Sequence, residues 1–307
     1  MKKISSRSSL TKTRDLFRSL GPGLITGASD DDPSGIATYS QAGAQSGFSI
    51  LWVVIFSFPM MVAIQLVSAQ IGRVTGTGIA GNMKKYYPKW IMISLIFLML
   101  AANIINIGAD IAAMGEAANL VVGGNAILYS IILTVIGILL QVFVPYSRYV
   151  FYLKWLCLVL FAYVAVVFSV HVPWVEAIKN SFLPTISFDS GYFTLIIAVL
   201  GTTISPYLFF WQASEEVEDE EDNPLMHPLL EAPEEAPKQL ARIRIDTVVG
   251  MAFSNLIAFF IILSTAVTLH MHGKTDIQTA AQAAEALRPL AGEWTFLLFA
   301  IGIIGTG

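Results

Sequence analysis

Residues 28–37 read ASDDDPSGIA. Three consecutive carboxylates, Asp30, Asp31 and Asp32, stand before a Pro-Ser-Gly, all inside an apolar run from Leu20 to Val54. Charge at such a depth is expensive and by default functional. A carboxylate there has two uses. It can cap a helix whose N-terminal dipole end welcomes negative charge, or it can hold a hard cation through oxygen. Capping accounts for one aspartate of three and leaves the triplet unexplained. Pro33 removes a backbone donor and clashes with the preceding turn, and Gly35 tolerates extended backbone. Together they predict a helix unwound at mid-depth, which survives only when packed in protein or lining water. A second interruption, Gly201, Thr202, Thr203, Ser205 and Pro206, falls within AVLGTTISPYLFFWQ (198–212). Its freed carbonyls and three hydroxyls would complete an oxygen set for a cation. Asp32 is the first candidate ligand, with Asp31, Gly35, Thr202, Thr203 and Ser205 beside it and Asp30 on the approach. Asn103, Asn106 and Asp110 at i, i+3 and i+7 share one helix face, either as part of an ion path with Tyr207 or as a network joining helices.

The elements that must position these residues are membrane spans. Of the 307 residues, 55% are hydrophobic and 13% charged, with a mean hydropathy of +0.67. Soluble domains carry about 25% charged residues, and apolar runs of about 20 residues recur, each long enough to cross a bilayer. This pattern is that of an all-α polytopic membrane protein. Spans are expected at 20–46, 48–72, 90–120, 124–145, 149–172, 191–213 and 244–270, with a last piece from Glu293 to Gly307. That piece is too short to cross, so the reading is of a chain broken off in its eighth helix. With the N-terminus in the cytoplasm, fifteen Lys and Arg fall inside and three (Lys179, Lys274 and Arg288) outside, as the positive-inside rule expects. The basic N-terminus leads into the first span without a signal-peptide cleavage pattern. A single cysteine, Cys157, excludes an intramolecular disulfide and a cysteine metal cluster. The two interruptions lie five spans apart, and five is odd, so the second copy runs upside down. That is the inverted-repeat arrangement of many secondary transporters. On this reading residues 1–19 are a cytoplasmic segment, 20–172 the first five-helix repeat and 173–190 an extracellular loop. Residues 191–307 are then an incomplete second repeat. Within it, 214–238 carries ten acidic residues and four prolines and reads as a solvated cytoplasmic loop or a cation-attracting funnel.

GPGLITGASDDDPSGIATYSQAGAQSG resembles the first helix of the natural resistance-associated macrophage protein (NRAMP) family, whose hallmark is Asp-Pro-Gly-Asn. LVSAQIGRVTGTGIA (66–80) is similar to the end of its second helix, and GADIAAM (108–114) to its third. The resemblance implies a leucine-transporter-like fold with broken first and sixth helices, and divalent metal transport. It also marks departures. Ser34-Gly35 replaces Gly-Asn. In the sixth helix, where the family has Ala-x-x-Met-Pro-His, this chain has Thr202, Ser205, Pro206 and Tyr207. Asp110 is retained, but Ala113 stands where an acid is expected. A thioether favours soft or borderline metals, whereas magnesium wants oxygen at octahedral geometry and keeps its water. The pattern is closest to the prokaryotic NRAMP-related magnesium transporters. It implies Mg²⁺ uptake by alternating access across the plasma membrane, with Mn²⁺ also accepted and no proton coupling. A proton-coupled Mn²⁺/Fe²⁺ importer is the alternative, and an organic-solute symporter of the same fold a further one. No enzyme, resident cofactor or nucleic-acid partner is implied, and an aspartyl protease is disfavoured by Ile-Gly-Ala before Asp110. The expected partners are a divalent cation and the lipid bilayer.

Overall fold

The computed structural model describes residues 21–144, 160–223 and 226–307. Among these every regular element is helical. The first span is two helices, α1 (Pro22–Ser29) and α2 (Pro33–Ser46), separated by the three aspartates. After a 3₁₀ turn come α3 (Leu51–Thr75), the short α4 (Ile79–Tyr86), α5 (Lys89–Val122) and α6 (Ala126–Phe143). Then follow α7 (Phe161–Ser169), α8 (Trp174–Phe182), α9 (Ser190–Thr203), α10 (Pro206–Glu221), α11 (Ala236–Thr268), α12 (Ala280–Ala291) and α13 (Glu293–Thr306). Residues 149–159 of the span expected at 149–172 lie outside the described residues. Five stretches are long and apolar enough to cross a membrane, among them Pro33–Thr75, Ser190–Glu221 and Pro233–His272.

Both expected interruptions are present, and they use the same local grammar. Asp32 and Ser205 are extended N-cap residues (ψ 167° and 140°), each followed by a proline in the first helical turn. Proline there removes a donor that has no helical partner in any case.

The centre of the bundle is α11, against which α1, α2, α3 and α7 pack. The hydrophobic window of its span is 61% buried, against none for α5 and α6. Those two helices turn Ile104, Ile105, Phe97 and Phe143 outward, as lipid contact requires. Small residues let α1 and α11 touch backbone to backbone. A Cβ on Gly27 would sit 2.3 Å from the Gly250 carbonyl oxygen, and one on Gly23 2.7 Å from the Asp246 carbonyl carbon. Close approach through glycines in this span follows from its small-xxx-small pairs; the partner does not.

The structure corrects the acidic stretch. Residues 214–221 are not solvated loop but the last two turns of α10, and Glu215, Glu216 and Glu220 are buried. The reason is charge pairing. Arg73 at the end of α3 contacts Glu220 at 2.9 Å, and Arg242 of α11 pairs with Glu216. Beyond the helix, the Leu229 and Leu230 N–H groups donate to the Arg73 and Val74 carbonyls, so this strand of chain is fastened to α3. The seventh span is likewise longer than expected, starting at Ala236 and not at 244.

Inserting a side chain at the α1–α11 crossing forces the backbones apart. Gly27→Leu is expected to destabilise the protein by at least the ~1–3 kcal/mol typical of overpacking, read as a lower midpoint in thermal unfolding in detergent. An unchanged midpoint would contradict the packing described.

Candidate metal site

Asp32 stands where the two breaks meet. Its Oδ1 accepts from the Gly35 N–H at 2.7 Å, capping α2. Its Oδ2 accepts from Asn106 Nδ2 of α5 at 2.8 Å and from the Tyr207 hydroxyl of α10 at 3.1 Å. Capping and site formation, alternatives at the level of sequence, are the work of one carboxylate. Asp110 joins through its neighbours: Asn106 Nδ2 also donates to Asp110 Oδ2 at 3.1 Å, and the Ser34 N–H donates to Asp110 Oδ1 at 3.1 Å. The Ser34 hydroxyl lies 2.7 Å from Asp32 Oδ1 and 2.6 Å from Asn106 Oδ1. A hydroxyl has one proton to give, so three oxygens converge here on a single hydrogen.

Thr202 closes the other side. A Cβ on Gly35 would meet Thr202 Oγ1 at 3.2 Å and Asp32 Oδ1 at 3.3 Å, so the two breaks are in direct apposition and residue 35 has little room for a side chain. Ser205 Oγ donates to the Thr202 carbonyl at 2.8 Å. Thr203 does not join: its hydroxyl donates back to the Val199 carbonyl at 2.6 Å within α9. Gly35 contributes a donor, not an acceptor. Asn103 makes no hydrogen bond among the described residues, while Asn106 and Asp110 of the same face form the network that joins α5 to the break.

Asp30 and Asp31 behave differently. Both are fully buried. Asp30 Oδ2 accepts from Ser254 Oγ of α11 at 2.6 Å, whereas Asp30 Oδ1 and both Asp31 oxygens have no hydrogen-bond partner. No group of three or more His, Cys, Asp or Glu side chains among the described residues is arranged to hold one metal ion. Asp30 and Asp31 thus stand outside the hydrogen-bond network of Asp32, although both lie within its electrostatic reach.

Asp246 is the residue that sequence reasoning missed. Its carboxylate accepts from the Gly21, Gly23 and Leu24 N–H groups at 2.9, 2.8 and 3.2 Å, fixing the far end of α1. Four residues earlier on the same helix, Arg242 pairs with Glu216 of α10 and lies 3.8 Å from Asp219. One face of α11 thus holds both α1 and α10, the halves that flank the breaks. An acid and a base at i and i+4 near the start of a span was the available signal, but nothing in the sequence links it to residues more than 200 positions away.

Glu216→Ala leaves Arg242 with Asp219 at 3.8 Å and the nearby Asp246 for compensation. The loss is expected near the lower end of the ~3–5 kcal/mol that follows breaking a buried pair, measured by thermal or denaturant unfolding in detergent. A change below about 0.5 kcal/mol would place the pair among inconsequential surface contacts.

The comparisons with known proteins agree with this architecture. Residues 23–307 match the family profile described as natural resistance-associated macrophage protein-like. A divalent metal cation transporter, MntH, of Erwinia tasmaniensis is 25% identical over 98% of this chain and 71% of its own length. The MntH protein of Klebsiella pneumoniae strain 342 is 25% identical over 99% and 71%. Among solved structures, a mutant of the Eremococcus coleocola manganese transporter superposes with a TM-score of 0.77 at 14% identity, covering 100% of this chain and 64% of that one. The same transporter in complex with an aromatic bis-isothiourea compound gives 0.75 at 15% identity. This chain thus spans less than two thirds of the solved structures it matches. The likeness to them shows the fold, a leucine-transporter-like helical bundle. The relatives are named as transporters, not enzymes. On the profile match, which covers nearly all of the sequence, the chain belongs to the NRAMP-like family.

Proposed function

We propose that this protein carries a divalent metal ion across a membrane by alternating access, with Asp32 as the principal ligand. The observation that carries this is the place of Asp32: an acid at the apposed breaks of two helices, bound to α5 and α10, with no Lys or Arg in its hydrogen-bond shell. An oxygen-rich cluster short of protons is suited to a cation. Thr202 and Ser205 supply neutral oxygens on the facing break, and Asp110 adds a second carboxyl group through Asn106.

The relatives are named as divalent metal cation transporters and the similar solved structures as a manganese transporter, so Mn²⁺ takes first place over the Mg²⁺ expected from the residue types alone. Mg²⁺ remains a second reading on one specific observation: Ser205 occupies the position at which the family has a thioether, and the polar contacts of Asp32 are to oxygen and nitrogen groups. Oxygen ligands serve both ions. Uncoupled entry belongs with that second reading, because Tyr207 stands at the family's histidine and its hydroxyl is engaged with Asp32. Inward movement of a dication gains about 4.6 kcal/mol per 100 mV, twice the single-charge value. The fifteen-to-three charge bias supports a cytoplasmic N-terminus in the plasma membrane, and it puts Arg73, Arg242 and the acidic end of α10 on the inner side.

Influx into proteoliposomes tests these assignments. Asp32→Ala is expected to abolish uptake of both Mn²⁺ and Mg²⁺, and persistence of either would remove Asp32 from the role given to it. Ser205→Met is expected to raise the Mn²⁺ to Mg²⁺ preference about tenfold. Metal-driven acidification of the lumen would establish proton coupling and overturn uncoupled entry.

A further inference from the structure

Asp30 and Asp31 are among the least compensated buried groups of the described residues. Each is fully buried, and three of their four carboxylate oxygens lack a hydrogen-bond partner. The ion pairs among the described residues involve Arg73, Arg242 and Arg288, and none reaches the break. Two further polar groups face this pair. The Ser254 hydroxyl bonds Asp30 and lies within electrostatic reach of Asp31. Tyr39 is buried with its hydroxyl unpartnered, within electrostatic reach of Asp30 and Asp31 and, more weakly, of Asp32.

Buried charge without a partner is not sustained in a low-dielectric interior. Four carboxylates belong to the break and its neighbour on α5: Asp30, Asp31, Asp32 and Asp110. A dication at Asp32 leaves the unpaired Asp30 and Asp31 oxygens without a partner. The Asp32–Asp110 pair is joined through Asn106 and Ser34, whereas Asp30 and Asp31 stand outside that network.

We infer that the unwound segment holds a second divalent cation, bound by Asp30 and Asp31 with the Tyr39 and Ser254 hydroxyls, apart from the ion at Asp32. The ligands are all hard oxygens, and two carboxylates neutralise one dication. The pocket lies between α1, α2 and α11, so its ion would fasten the unwound backbone to the central helix. The inference rests on the reading of Asp32 only for the identity of the first ion.

The test counts bound Mn²⁺ at equilibrium, from loss of the free-ion signal in electron paramagnetic resonance during titration of the purified protein in detergent. Two equivalents are expected for the unaltered protein, and one equivalent would overturn the inference. Asp31→Asn should reduce two to one, and retention of two would also overturn it. Asp32→Asn should remove the other equivalent. If it retains both while Asp31→Asn loses one, the second site stands and the assignment of Asp32 fails. Should Asp31→Asn not fold, Tyr39→Phe and Ser254→Ala decide the matter. Each is expected to weaken one of the two equivalents about tenfold, as loss of a supporting contact does, and no effect from either would count against the pocket.

Discussion

Everything in this structure turns on one carboxylate shared between a helix end and two neighbouring helices. Asp32 uses one oxygen to close the first turn of α2 and the other to receive Asn106 and Tyr207. Neither use would hold the group alone. A cap by itself points into solvent or lipid, and a buried acid without donors would not remain charged. Because the donors come from α5 and α10, the position of Asp32 reports the arrangement of three spans at once. A change in how these helices meet must alter the charge environment of the site, which is what coupling between site and bundle requires.

The rest of the fold protects that arrangement. Glycine contacts bring α1 against α11, and Asp246 satisfies three backbone donors at the end of α1. Arg242, one turn away, fixes α10 through Glu216. The two half-helices flanking the breaks are therefore tied to the same short face of α11. These ties lie at one end of the bundle, beside the Arg73–Glu220 pair, and leave the breaks themselves to polar contacts alone. Ionic contacts of this kind have two stable arrangements, made or broken, and so suit a region that opens and closes.

Much of this was legible in the sequence, for identifiable reasons. The breaks announce themselves through Asp-Pro and Ser-Pro within apolar runs, because proline and an extended residue before it cannot continue a helix. The face shared by Asn106 and Asp110 follows from helical spacing. What was hidden depends on long-range pairing. Glu216 and Glu220 read as solvent-exposed because local composition says nothing of Arg242 and Arg73, which neutralise them from other helices. Thr203 looked equivalent to Thr202, but a hydroxyl in a membrane helix can bond back to its own turn, and only the geometry separates the two. Ser34-Gly35 read only as a departure from the family's Gly-Asn, whereas the Ser34 hydroxyl bridges Asp32 and Asn106. The choice of metal was led by the missing thioether towards magnesium; ligand type narrows the class of ion without naming it.

An anomalous difference map from crystals soaked in Mn²⁺ bears most directly on the central role of Asp32. A peak within coordinating distance of the Asp32 carboxylate and the residue 202–205 break, lost on Asp32→Asn, is the predicted result. Strong density elsewhere in the bundle, with the Asp32 side chain still bonded only to Gly35, Asn106 and Tyr207, would mean that the carboxylate is a structural cap and that the ion travels by another route.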